Sequence, residues 1–188
     1  MKNLFSVKGK VALVTGGSRG IGEMIAAGYL ANGAKVYISS RKAETCDATA
    51  ERLSKEYEGN CISIPADLSN LDGIAALVSK IKEDEGSLDI LVNNAGASWG
   101  EPIEEYSEKG WDKVMDTNVK GVFFLTQKLL PLLKASGNAE DPARVINIGS
   151  IDGIKTGLFD AFSYGPSKAA LHHLTRVLAA SLVKDHII

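Results

Sequence analysis

The sequence predicts an α/β fold, a doubly wound parallel sheet with helices on both faces. Short apolar runs alternate with longer helical patterns from one end of the chain to the other, and the runs are apolar along most of their length. Strands covered on both sides read this way, because the helices that join parallel strands pack over both faces of the sheet. A third observation is the glycine cluster directly after the first run, at the place where such folds turn from strand to helix.

Lys10 to Thr15 is the first run, and residues 20–32 follow as a helix closed by the helix-stop pair Asn32-Gly33. Lys35 to Ser39 is a second strand, a polar helix spans about 42–57, and Cys61 to Pro65 makes a third strand. A helix over about 70–85 leads to the strand Leu88 to Val92. A long helical region of about 108–135 leads to Arg144 to Ile148, and a last helix runs from about 163 to 184. Gly137 to Pro142 is a connecting loop, and no linker or repeat interrupts the pattern, so residues 1–188 are expected to form a single domain. His186-Ile187-Ile188 reads as the start of another strand. The fold is therefore expected to be truncated at its C-terminal end, with Val145 to Ile148 left as an edge strand carrying unpaired backbone groups.

The 188 residues are 45% hydrophobic and 23% charged, with a net charge of −2, which excludes disordered and collagen-like classes. A near-neutral chain without a basic stripe argues against nucleic acid as a partner. Cys46 and Cys61 are too far apart in sequence for a CxxC motif and are expected to be reduced and buried. No apolar stretch reaches the ~18 residues that span a bilayer, and no secretory-type core develops before Lys8 and Lys10. A cytoplasmic location without membrane contact is the expectation.

Thr15-Gly16-Gly17-Ser18-Arg19-Gly20-Ile21-Gly22 lies between the first strand and the first helix, where free N–H groups suit a pyrophosphate. Gly16 can make the tight turn, Gly20 can let backbone approach the ligand, and Gly22 can let helix and strand pack closely. A P-loop is excluded because Gly22 is followed by Glu23 rather than Lys. At the end of the second strand Ser39-Ser40-Arg41 offers hydroxyls and a cation where an acidic residue would hold ribose hydroxyls. Arg41 and Arg19 therefore favour a 2′-phosphate, hence NADP over NAD. Asn93-Asn94-Ala95-Gly96 closes the fourth strand at the same edge with small residues; Asp67-Leu68, after the third strand, suits either an adenine contact or a helix cap.

Tyr164 and Lys168 are four residues apart at the start of the last helix and share a face, with Ser150 just after the fifth strand. A cation about 5 Å from a phenol oxygen, at an effective dielectric near 20, favours the ionised form by roughly 3 kcal/mol. Such a phenol can give or take a proton, with Ser150 holding the reacting oxygen.

On these motifs the chain resembles the short-chain dehydrogenase/reductase family over essentially its whole length, and the implied fold is Rossmann-like. Thr15 to Gly22 matches the family's T-G-x-x-x-G-x-G, Asn93 to Gly96 its N-N-A-G, and Asn118, Ser150, Tyr164 and Lys168 fall where its catalytic tetrad falls. The resemblance implies Tyr164 as acid/base and Ser150 as the group orienting a carbonyl. It gives Lys168 a second role on the nicotinamide ribose and Asn118 a role in holding a relay water. It implies cofactor contacts at Gly16, Ser18, Arg19, Gly20, Ile21, Gly22, Ser40, Arg41, Asp67, Leu68, Asn94, Ala95, Gly96, Tyr164 and Lys168. Gly17-Ser18-Arg19 and Ser40-Arg41 are most similar to the NADPH-using 3-oxoacyl thioester reductases, including the rhamnolipid-associated type. The family usually continues through further strands and a substrate lid that these 188 residues do not include.

The expected function is reduction of a ketone or 3-oxoacyl thioester by NADPH. Oxidation of an alcohol, steroid or sugar and a non-catalytic nucleotide-binding module are the alternatives. The resemblance implies that the long helical regions at 108–135 and 163–184 pair into a homodimer or homotetramer. Leu158, Phe159, Phe162 and Trp99 are candidate walls for an apolar acyl pocket, and Asp152 and Asp160 disfavour a strongly anionic group there. His172 and His173, adjacent on a helix, point apart; packing or solvent contact suits them better than a shared metal, and no metal site is expected.

Overall fold

A computed structural model describes residues 5–156 and 160–188. Five strands, β1 (Val11–Thr15), β2 (Lys35–Ser39), β3 (Cys61–Ser63), β4 (Ile90–Asn93) and β5 (Arg144–Asn147), form one parallel sheet in the order β3-β2-β1-β4-β5. The helices are α1 (Gly20–Ala31), α2 (Ala43–Glu56), α3 (Leu71–Asp84), α4 (Glu108–Met115), α5 (Gly121–Ser136) and α6 (Tyr164–Leu182). This is the doubly wound architecture the alternation predicted.

Successive strand residues face opposite sides of the sheet. Leu13, Tyr37 and Leu91 join Ile74, Leu77 and Leu129 in the core beneath α3 and α5. Ala12, Val14, Val36, Ile38, Ile90 and Val92 meet α1 and α2 on the other side. A fully buried Leu or Ile contributes roughly 1.5–3 kcal/mol, so both faces hold the sheet. Gly33, at φ +79°, ends α1 where the Asn32-Gly33 signal placed the stop.

One expectation is refined and one changes. The helical region at 108–135 is observed as α4 and α5 joined without a break by a π-turn at Asp116–Lys120. The edge of β5 is partly paired: Ala143 and Val145 donate their N–H groups to the carbonyls of His186 and Ile188 at 3.0 and 2.8 Å. Ile187 forms a parallel bridge with Ala143, so the final residues do begin a strand beside β5. Cys46 and Cys61 are both free and buried, and burial pushes the Cys61 thiol up to about 12.

Candidate functional site

The sheet order reverses between β1 and β4, and the C-terminal ends of strands at such a switch point are where these sheets bind ligands. The glycine turn and the segment after β4 meet there. Thr15 Oγ1 accepts the N–H groups of Asn94 and Ala95, each at 3.0 Å, and donates to Val92 O at 3.2 Å. Asn94 Nδ2 donates to Thr15 O and Gly16 O at 3.0 and 3.3 Å, so its amide braces the turn.

Gly16 and Gly20 adopt φ of +64° and +56°, where a Cβ is costly. A Cβ on Gly16 would stand 2.9 Å from Asn94 Nδ2, and one on Gly22 would overlap the Gly16 carbonyl. One on Gly20 would meet nothing within 4 Å, so Gly20 presents bare backbone to open space at the start of α1. That cradle fits a pyrophosphate. Ser18 is buried beneath it, its carbonyl accepting Thr49 Oγ1 at 3.1 Å, while Ile21 is exposed.

At the end of β2 the Ser40 hydroxyl is buried without a hydrogen-bond partner, an orphaned group next to Arg41. Arg19 and Arg41 are both exposed, and neither guanidinium forms an ion pair among the described residues. An unsatisfied hydroxyl and two unneutralised cations suit a phosphate monoester. Asp67 Oδ1 accepts the N–H and hydroxyl of Ser69 at 3.0 and 2.8 Å, and the cap of α3 is Asn70 instead. The Leu68 side chain lies in the core, which leaves only its backbone to face a ligand.

The four residues assigned to chemistry come from three elements. Tyr164 is the first residue of α6, and its hydroxyl has no protein partner among the described residues. Lys168, one turn on, is only 5% exposed. Its Nζ donates to Ile148 O at 2.7 Å and lies 5.9 Å from the centre of the Tyr164 ring. Burial pushes this ammonium below the ordinary lysine value. Ser150 Oγ accepts the Asp152 N–H at 3.2 Å, which leaves its own proton free to donate. Asn118 sits in the π-turn, 1% exposed, where its Nδ2 donates to Ala97 O and Ser167 Oγ at 2.9 Å each and its Oδ1 accepts Ala97 N–H at 2.8 Å. One lone pair of Oδ1 remains. A Cβ on Gly96 would stand 3.4 Å from that oxygen and 3.8 Å from Lys168 Nζ, so the floor after β4 lies against both.

Beside Tyr164 lies a cavity of about 510 Å³, walled by Ile154, Ala161, Phe162, Pro166 and Ala169, with Asp152 and Lys155 also lining it. Leu158 and Phe159 lie outside the described residues. Trp99 instead rests on Gly110, under Lys113 Nζ at 4.6 Å. His172, which sequence reasoning left to packing or solvent, has a definite seat: its Nε2 accepts the Ser150 N–H at 3.4 Å, and a Cβ on either Gly149 or Gly153 would run into its ring. Among the described residues no His, Cys, Asp or Glu cluster could hold a metal ion, and no helix is long and apolar enough to cross a membrane.

Residues 10–188 match the family model for short chain dehydrogenases. The chain is 56% identical over 187 residues to the rhamnolipids biosynthesis 3-oxoacyl-[acyl-carrier-protein] reductase of Pseudomonas aeruginosa, covering all of this chain and 72% of that protein. It superimposes on the Pseudomonas aeruginosa RhlG/NADP active-site complex with a TM-score of 0.94 at 57% identity, covering 100% of this chain and 72% of the other. The L-sorbose reductase of Gluconobacter frateurii, solved with NADPH and L-sorbose, has a TM-score of 0.90 at 30% identity, over 97% of this chain and 67% of that one.

Proposed function

Because this chain belongs to the short chain dehydrogenase family, we propose that it reduces the ketone of a 3-oxoacyl thioester with NADPH. The observation that supports the reading is the buried Lys168, whose Nζ lies 5.9 Å from the ring centre of a Tyr164 with an unpartnered hydroxyl and donates to Ile148 O, two residues before the donor-ready Ser150. When bound, NADPH supplies the hydride, the one reactant that these side chains cannot provide. Gly16, Ser18, Gly20, Ile21 and Gly22 would hold its pyrophosphate, and Arg19, Ser40 and Arg41 its 2′-phosphate. Asp67 and the backbone of Leu68 would border the adenine, and Asn94, Ala95 and Gly96 would form the floor.

Ser150 donates its free proton to the carbonyl oxygen and fixes its place. Tyr164 gives its proton to the same oxygen as the carbon is reduced. Lys168 favours the phenolate left behind and would also hold the ribose, and the spare lone pair of Asn118 Oδ1 would accept a water that returns a proton. The apolar cavity beside Tyr164 suits an acyl chain and sets this substrate ahead of a polyol. One domain thus binds cofactor and does the chemistry. The same reading extends to a cytoplasmic homodimer or homotetramer paired through exposed helix faces that include Trp111 and Val177.

Replacing Tyr164 with Phe in the full-length protein should lower turnover of a 3-oxoacyl thioester by about 10²–10⁴-fold, the worth of a positioned proton donor. NADPH affinity, read by fluorescence titration, should stay within about twofold, because phosphate contacts elsewhere dominate it. Near-normal turnover would refute the assignment.

A further inference from the structure

The turn that launches Tyr164 is held by a second tyrosine. We infer that Tyr106 is a positioning residue for Tyr164, and the inference rests on the proton-donor role proposed above. Tyr106 Oη lies 2.6 Å from Ser163 Oγ, 3.3 Å from Ser163 N and 3.1 Å from Trp99 O. Its ring packs edge-on against Phe162, with centres 5.5 Å apart and an interplanar angle of 84°. It therefore grips both residues immediately before Tyr164.

Proton accounting fixes every direction in this cluster. A phenol has one proton to donate and two lone pairs to accept. The Trp99 carbonyl can only accept, so Tyr106 donates there. The Ser163 N–H can only donate, so the remaining lone pair takes the Ser163 hydroxyl proton. The capacity of Tyr106 is filled, and Ser163 is wholly buried at 0% exposure, so no water replaces a lost partner without a rearrangement.

Ser163 occupies the cap position of α6, where serine ordinarily turns its oxygen onto the N–H groups of the first turn. It makes no such bond here, and its φ and ψ of −89° and −25° are helical rather than extended. The hydroxyl is committed to Tyr106 instead. Tyr106 is itself tethered: Glu101 Oε2 accepts the N–H and hydroxyl of Ser107 at 2.7 and 2.8 Å, and the Glu101 N–H donates to Asp160 O at 3.1 Å. One turn further along α6, Ser167 Oγ donates to Tyr164 O at 2.7 Å while accepting from Asn118. The first turn of α6 is thus pinned at Ser163 and Ser167, and the phenol it carries must meet a carbonyl within hydrogen-bond reach. A misplacement of about 1 Å costs on the order of 10²-fold in rate.

The test is Tyr106→Phe, Ser163→Ala and the double variant in the full-length protein, assayed with a short 3-oxoacyl thioester and by NADPH fluorescence titration. Both single variants should lose about tenfold or more in kcat, with NADPH Kd and thioester KM within about twofold, and the double variant should fall no further than Tyr106→Phe alone. Wild-type kcat in Tyr106→Phe, alongside an inactive Tyr164→Phe, would overturn the inference and leave the proposed function standing. Equal losses in kcat and NADPH affinity would also overturn it, since they mark general loosening. Should Tyr106→Phe fail to fold, Ser163→Ala removes one hydroxyl from the same cluster, and normal kcat there sinks the idea. An active Tyr164→Phe would remove the proposed function, and this inference with it.

Discussion

In the proposed reading, Arg41 and Ser40 decide between two cofactors that differ by one phosphate. The guanidinium is exposed and unneutralised, and the neighbouring hydroxyl is buried without a partner. Neither feature has a use in the apoprotein, and an orphaned buried hydroxyl is costly by about 1–3 kcal/mol. A 2′-phosphate would satisfy both. Replacing Arg41 with Ala should therefore weaken NADPH binding by about 10–100-fold, the worth of a charge-assisted hydrogen bond at ~1.5–3 kcal/mol. NADH binding should be unchanged. Titrating both cofactors by fluorescence checks this, and equal losses for the two would show that Arg41 serves the fold of the loop. The preference was legible because it depends on residue type at the end of one strand. Tyr106 and Ser163 carried no such signal, since a tyrosine 58 residues before Tyr164 in sequence has no local reason to touch the turn beside it.

Among the elements, the strands and the glycine turn were legible because their causes are local: apolar runs, breakers and positive-φ glycines such as Gly16 and Gly33. The π-turn joining α4 to α5 was not. Asp116 to Lys120 contains neither glycine nor proline, and its π-turn accompanies the tertiary bonds of Asn118 to Ala97 and Ser167. The seat of His172 was equally hidden, because the 3₁₀ turn Ile151–Gly153 meets α6 only in the fold. That seat makes Gly149 a sensitive position. A methyl group there would collide with the imidazole and push the backbone that carries Ser150. Gly149→Ala should cost about 1–3 kcal/mol as overpacking and lower kcat, read by thermal melts and turnover. Adding His172→Ala should recover part of the melting temperature. If the double variant is no more stable than Gly149→Ala, the clash is not the cause.

The whole molecule separates its labours between the two ends of the sheet. The proposed chemistry gathers where the parallel strands end, and at the opposite end Asp89 ties four segments together. Its Oδ2 accepts the Val11 N–H at 2.8 Å, and its Oδ1 accepts Lys10 Nζ and Ser136 Oγ at 2.9 and 2.6 Å. Lys10 also binds Asp141 at 2.6 Å, and Arg144 holds Asp141 from the other side at 3.0 Å. Burial raises the Asp89 pKa, but the bonds from Ser136, Val11 and Lys10 together outweigh it and hold the carboxyl below its ordinary value. A carboxylate depressed in the folded state contributes stability above its unfolded pKa of ~3.9 and loses it as pH falls through the folded value. Asp89→Asn keeps one acceptor and removes the charge, so it should destabilise the protein at pH 7 by about 1–3 kcal/mol. The gap from wild type should close as pH drops from about 4 toward 2, because only the wild type has that charge to lose. Urea unfolding at pH 7, 4 and 2.5 measures this. A gap that stays constant would assign the loss to hydrogen-bond geometry rather than charge, and turnover at pH 7 should be unaltered in folded protein because the two ends share no residue.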